Sequence, residues 1–472
     1  MNNKLYTILR TFDKIEMNRL EKYILSPYFN KNQYTTQLFG LLMKNVESKN
    51  AKELVKEDVW KILFEKEKYD DVRFRKINSD LLKLVEGYLA QQLYDENPLH
   101  QAIYLMEAVT RKKLDKLHNS TVKSAQELSK KEQYRSSDYY FNQFQIEKNY
   151  YKLTDFESKR DDKSNLEEII NNLDQFYLAE KLKYYLDILT RQNVISHEYE
   201  LLFIEEIKEH LAKQKYDNVP PIAIYYQIYL MNTEPTNEDH YYKLKELIGL
   251  YIKNFPPDEA HSIYRNTFNY CITKVNKNNI PFHEEYVNMF DELLKNKEII
   301  DKIEISPVHF KNAIVISNRI KKYEWAENLI VNYQHKLPEE VRENTVKTNL
   351  ATVYFYQKKY DKVIELLREV EFPDILATLN AKTVLLMTYF EQKEEDALYS
   401  FLESFKMYIN RHKNVAQERK DLYLNLVKFV KKIVELPPND RKAVQKLKEE
   451  VEATKNVASL NWLKEKVAEL ER

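Results

Sequence analysis

Apolar residues in this chain recur every three or four positions and are interrupted by proline or charge, the pattern of helices that each bury one face. Asp13 and Glu16 form a D-x-x-E capping box that starts a helix, and that helix is expected to end at Ser26, because Pro27 disfavours the α conformation before it. Tyr28 and Phe29 follow and are expected to plug a small core. Tyr34, Leu38, Leu41, Leu42 and Val46 stripe a second helix. Val55, Val59, Ile62 and Leu63 mark a third, and Phe74, Ile77, Leu81, Leu84, Val85 and Tyr88 a longer fourth. Residues 1–96 therefore read as an N-terminal helical module. Its third and fourth helices, joined by Glu65 to Asp71, also fit a helix-turn-helix or winged-helix-like fragment. The near-balanced charge and the lack of a strand pair for a wing favour a four-helix cap.

Residues 97–306 read as irregular helical hairpins, clearest at Leu182–Leu189, Tyr199–Leu211, Ile222–Met231, His240–Ile252 and Tyr286–Leu294. The polar run Lys159–Ser164 is expected to be a loop or joint. Between Pro307 and Pro373 the pattern becomes a repeat. Tyr323, Ala326 and Ile330 are answered by Tyr360, Val363 and Leu367, each 37 residues later, so whole helix pairs recur. A third copy runs to residue 406. Residues 407–472 are expected to be capping helices. The 3-4-3 spacing of Leu460, Leu463, Val467 and Leu470 fits a helix shielding the last repeat, or a short coiled-coil seam.

Composition narrows the function. Only three glycines occur in 472 residues, where average usage of about 7% would give roughly 33. That scarcity argues against β-hairpins, phosphate-binding glycine loops and nucleophile elbows as a group. All thirteen prolines fall where helices are expected to begin or end. A lone Cys271 allows no internal disulfide and no multi-cysteine metal site. The N-terminus shows no secretory apolar core, and no run approaches the ~18 apolar residues of a membrane span. A soluble cytoplasmic protein with no membrane contact is expected. The 74 basic and 74 acidic residues leave no global field to draw in nucleic acid.

Residues 307–406 resemble the tetratricopeptide repeat (TPR) family of helix–turn–helix units. The match rests on Asn349-Leu350-Ala351, Tyr354, Lys359-Tyr360-Asp361, Val363 and Leu367. The preceding unit supplies Phe310, Ala313, Tyr323, Ala326, Ile330 and Pro338, and the looser following one Leu385, Tyr389, Ala397 and Phe401. The spacing exceeds the family's 34 residues, and the turns lack glycine. The resemblance implies an all-α fold, an α-solenoid of antiparallel helical hairpins, with a concave groove lined by the first helix of each hairpin. That face would carry Lys311, Val315, Asn318 and Arg319, then Thr348, Thr352, Phe355 and Tyr356, then Thr383, Met387, Phe390 and Glu391. Such a surface suits an extended peptide or a partner helix. The competing reading is that Phe355 and Phe390 simply pack against neighbouring units.

No residue pattern supports chemistry. His197-Glu198 and His283-Glu284 lack the second histidine of a zinc motif, Cys271 reads as a small buried hydrophobe, and Glu394-Glu395-Asp396 as a solvated turn. The basic clusters Arg111-Lys112-Lys113-Lys116 and Arg411-His412-Lys413, with Lys428, Lys431 and Lys432, read as solvated helix faces more readily than as phosphate contacts. The expectation is a non-catalytic adaptor or scaffold that binds a protein or peptide, without cofactor or metal. A nucleic-acid-associated regulator acting through the N-terminal module or the basic faces is the alternative.

Overall fold

The computed structural model describes residues 3–48, 54–65, 67–154, 163–192, 199–368, 375–412, 415–437, 440–454 and 456–470. The described residues are all-helical, with no strand among them. The turns expected at Pro373 and Pro438, most of the Lys159–Ser164 joint, Lys413 and the His197-Glu198 pair lie outside them. The chain divides into two compact units, residues 1–133 with 138–176 and residues 134–137 with 177–472, a coarser division than the four segments read from sequence.

The first unit begins with α1 (Lys4–Leu9), α2 (Lys14–Leu25), α3 (Gln33–Glu47), α4 (Lys56–Leu63) and α5 (Asp71–Asp95). Asp13 Oδ1 accepts from the amides of Ile15 and Glu16, and Glu16 returns the bond to the Asp13 amide at 2.8 Å, so the capping box forms as expected. These five helices share one core around Leu20, Leu38, Leu42, Trp60, Leu81 and Val85. Three expectations fail there. Val55 is 50% and Ile62 60% exposed, and Trp60 is buried instead, donating its indole N–H to the Glu67 carbonyl at 3.0 Å. Tyr28 is 86% exposed rather than a plug, while Phe29 stacks on Tyr23 with ring centres 4.1 Å apart. Val59 and Leu63 are buried as expected, so the phase of α4 holds and its edge residues miss, while Tyr28 lies in the turn after α2, where no periodicity sets its direction. A second core in this unit joins α6 (Pro98–Lys112), α7 (His118–Lys130) and α8 (Ser137–Leu153) around Leu99, Met106, Val122, Ala125 and Ile146. The unit boundary cuts α9 (Leu166–Gln192) after Phe176.

The second unit continues with α10 (Ile204–Lys213), α11 (Pro220–Thr233), α12 (Asp239–Tyr251), α13 (Pro257–Asn276), α14 (Pro281–Lys295) and the single turn α15 (Lys297–Ile300). Proline opens α11, α13 and α14, where its missing N–H would have no partner anyway. Three hairpins follow: α16 (Pro307–Arg319) with α17 (Tyr323–Tyr333), α18 (Glu339–Tyr356) with α19 (Tyr360–Leu367), and α20 (Ile375–Gln392) with α21 (Glu395–Arg411). Their first helices touch in sequence, α16 on α18 and α18 on α20, and α14 packs on α16. The chain ends in α22 (Gln417–Val434), α23 (Arg441–Ala453) and α24 (Leu460–Glu469).

The three hairpins turn in the same way. Lys321, Lys358 and Lys393 occupy the left-handed region at φ 61°, 58° and 60°. In each turn the next residue's amide reaches back five positions, Lys322 to Ser317, Lys359 to Tyr354 and Glu394 to Tyr389, at 2.8, 2.9 and 3.3 Å. The left-handed lysine itself bonds three positions back. This is the Schellman helix end, made without glycine. Counting from each lysine fixes the packing register. The fifth residue on is Ala326, Val363 or Leu398, the ninth Ile330, Leu367 or Leu402, and all six are buried. The third hairpin therefore runs one residue later than the expected Ala397 and Phe401, which are only partly buried.

Lysine in the left-handed region is strained by its Cβ. Lys321→Gly, Lys358→Gly and Lys393→Gly should each stabilise the second unit by about 0.5–1 kcal/mol, whereas Lys362→Gly inside α19 should destabilise it by about 1 kcal/mol. Denaturant midpoints of the four variants check this, and a loss in the first three would refute the turn geometry. A pH effect follows from His309, buried in α16 against Phe268 and Tyr286. Burial, helped by His261 and Arg265, lowers its pKa from 6.5 to about 4. The unfolded chain thus binds more protons between those values, so this contribution is complete above pH 6.5 and fades as pH falls toward 4, by on the order of 3 kcal/mol. Unfolding free energies at pH 7 and pH 4 should differ less in His309→Gln than in the wild type.

Candidate ligand groove

One side each of α16, α18 and α20 faces a cavity of about 520 Å³. Nine of the twelve expected groove residues line it: Lys311, Val315 and Arg319 from α16, Thr348, Thr352, Phe355 and Tyr356 from α18, and Thr383 and Met387 from α20. Their helical spacing places them on one side of each helix, and the packing of first helix on first helix makes the three stripes continuous. Thr348, Thr352 and Thr383 each donate their hydroxyl proton to the carbonyl four residues earlier at 2.9 Å. They keep acceptor lone pairs but little donor capacity.

The other three residues are elsewhere. Asn318 is 1% exposed and donates to the Ile314 carbonyl at 2.7 Å, so it belongs to the helix packing and not to the groove face. Phe390 and Glu391 are taken up by the chain's own C-terminal helix. Trp462 meets Phe390 edge-on at 5.3 Å, and its indole donates to Glu391 Oε1 at 2.9 Å. Lys466 Nζ reaches the same oxygen at 2.8 Å. Phe355 lines the cavity and also packs on Tyr356 and Tyr360 of its own hairpin, with ring centres 5.5 and 5.9 Å away.

Residues not expected from the repeat pattern complete the cavity. Val457 to Trp462 line it, anchored where the Ala458 amide donates to the Leu422 carbonyl at 2.8 Å and Asn425 Nδ2 to the Asn456 carbonyl at 2.8 Å. Ile272, Val275 and Asn276 of α13 contribute, as do Asn312, Asn380 and Tyr423. Asn380 lies three residues before Thr383 on the same helix face, so extending the α20 stripe by one turn would have found it. Tyr423 and Trp462 come from distant sequence and carry no repeat signal.

The cavity is polar at two ends. At one, Lys311 Nζ donates to Asn380 Oδ1 at 3.0 Å, and the Tyr423 hydroxyl donates to the same oxygen at 3.4 Å. Lys311 is half-buried as a residue, yet its ammonium lies deep enough that burial pulls its pKa below the ordinary lysine value. At the other end, Arg319 Nε donates to the Tyr356 hydroxyl at 3.3 Å. Phe355, Met387, Leu460 and Trp462 supply apolar wall between them. A surface of this kind holds and orients a ligand through contact area and a few directed polar groups.

The remaining candidates sit in ordinary structural surroundings. Cys271 is fully buried, and burial pushes its thiol up to about 12, so it stays protonated at neutral pH. In the basic clusters, Arg111 pairs with Glu107, Lys431 with Glu403 and Glu435, and Lys432 with Glu450. His283 is buried, and the adjacent Glu284 is held by Lys322. Among the described residues no helix is long and apolar enough to cross a membrane. No family model, no curated protein and no solved structure matches this chain.

Proposed function

We propose that this chain is a non-catalytic cytoplasmic adaptor, a TPR-like α-solenoid that takes a protein or peptide partner on the concave face formed by the first helices of its hairpins. The observation that carries this reading is the convergence on one cavity of nine residues chosen by repeat position alone. Those residues come from three helices whose turns repeat residue for residue. Repeated hairpins that lean on their neighbours leave one flank uncovered, and such flanks bind partners by surface complementarity. The nucleic-acid alternative gains less from the geometry. Several of the lysines and arginines it would use are paired with carboxylates on the same or an adjacent helix.

Capture from native lysate with and without nuclease tests the reading. The full chain should retain protein partners after nuclease treatment, and Arg319→Ala combined with Tyr356→Ala should lose them while keeping its helical circular dichroism. Partners that survive in the double variant would refute the groove, and partners released by nuclease would favour the nucleic-acid reading.

A further inference from the structure

Lys311 differs from three other enclosed lysines of its unit. Lys274 pairs with Glu238 at 2.7 Å, Lys245 with Glu285 at 2.6 Å and Lys466 with Glu391 at 2.8 Å. Lys311 meets a neutral amide oxygen, and that single bond uses one of its three N–H donors. Arg319 is the other charged residue lining the cavity, and its partner, the Tyr356 hydroxyl, is neutral as well. Among the described residues no aspartate or glutamate lines this space.

A charge taken out of water is costly unless an opposite charge or a full set of hydrogen bonds replaces the lost solvent. A methionine at position 311 would fill similar volume without that cost. A chain that keeps lysine there gives up stability at a position facing a cavity, the usual mark of a functional group. The depressed pKa of the Lys311 ammonium reflects the same imbalance.

We infer that the cavity binds an oxyanion, a carboxylate or phosphate group, seated against the Lys311 ammonium beside Asn380, with the apolar wall receiving the rest of the ligand. The anion is carried either by a free small molecule or by an acidic side chain of the partner peptide. The cavity volume of about 520 Å³ lies in the range of small-ligand sites. The inference rests on the reading of this face as the binding face, and it adds the charge of what binds there. Asn380 Nδ2 is a second donor near the ammonium, and charge-assisted bonds of this type are the strong ones.

The test uses the full chain with three probes, inorganic phosphate, citrate and a hexa-aspartate peptide, against potassium chloride at matched ionic strength and a hexaserine control. At least one oxyanion probe should raise the thermal midpoint of the wild type and bind by calorimetry. Lys311→Met should abolish the response, and Asn380→Ala should weaken binding by roughly tenfold or more. Without ligand, Lys311→Met should unfold at the same or a higher temperature than the wild type, which separates lost binding from lost folding. Binding of phosphate or citrate identifies a free small molecule as the source, and binding of hexa-aspartate alone identifies a partner's side chain. The inference is overturned if no oxyanion probe binds the wild type, or if Lys311→Met binds as well as the wild type. A lysate partner lost on Arg319→Ala with Tyr356→Ala, in a protein that binds none of the anions, would leave the groove standing and remove the oxyanion alone.

Discussion

In each of the three regular hairpins the chain reverses through one residue held at positive φ, and the packing of the second unit depends on that constraint. Once Lys321, Lys358 and Lys393 are placed, the amide that follows must reach back to the carbonyl five residues before it. The second helix then leaves at a set angle, and its fifth and ninth residues beyond the lysine are driven into the core. Ala326, Val363 and Leu398 differ in size but share this position, so the turn and not the side chain sets the register. With second helices so oriented, α16, α18 and α20 lie against one another and their remaining side becomes a continuous surface.

That surface is where the unit departs from ordinary stabilising practice. Around α12, α13 and α14, enclosed cations are matched by carboxylates, and Tyr241 donates to Glu285 at 2.8 Å beside Lys245. On the cavity side the matching stops. Lys311 and Arg319 are held by neutral oxygens, three threonine protons are committed to their own helices, and the C-terminal segment supplies aromatic and aliphatic wall in place of an acid. Glu391, which that segment does contact, is already occupied by Lys466 and the Trp462 indole. The arrangement leaves the positive charge of this face without a carboxylate partner among the described residues that line the cavity.

Much of this was legible in the sequence because helical periodicity is local. The all-helical class, the capping box at Asp13 and the end of α2 before Pro27 follow from spacing within a turn or two, while the nine residues that line the cavity came from the resemblance to the repeat family. Where the repeat was loose, the phase slipped, as at Leu398 against Ala397, and in the short α4 Trp60 is buried where Ile62 was expected. Glycine scarcity pointed away from β-hairpins and phosphate-binding loops, and in the helical hairpins lysine adopts the left-handed conformation that glycine would favour. Asn318 fell on the expected face by count, but its amide turns back to the Ile314 carbonyl. Tyr423 and the Val457–Trp462 segment reach the cavity through tertiary packing alone, which no periodicity encodes.

The claim on which the functional account turns is that Lys311 carries an ammonium enclosed without a compensating carboxylate. Titration of the full chain labelled with ¹³Cε-lysine, followed by NMR, measures this without any ligand. One lysine resonance, missing from the Lys311→Met spectrum, should titrate below the bulk of the lysines because burial disfavours its charged form. A Lys311 resonance that titrates together with the exposed lysines would contradict that claim.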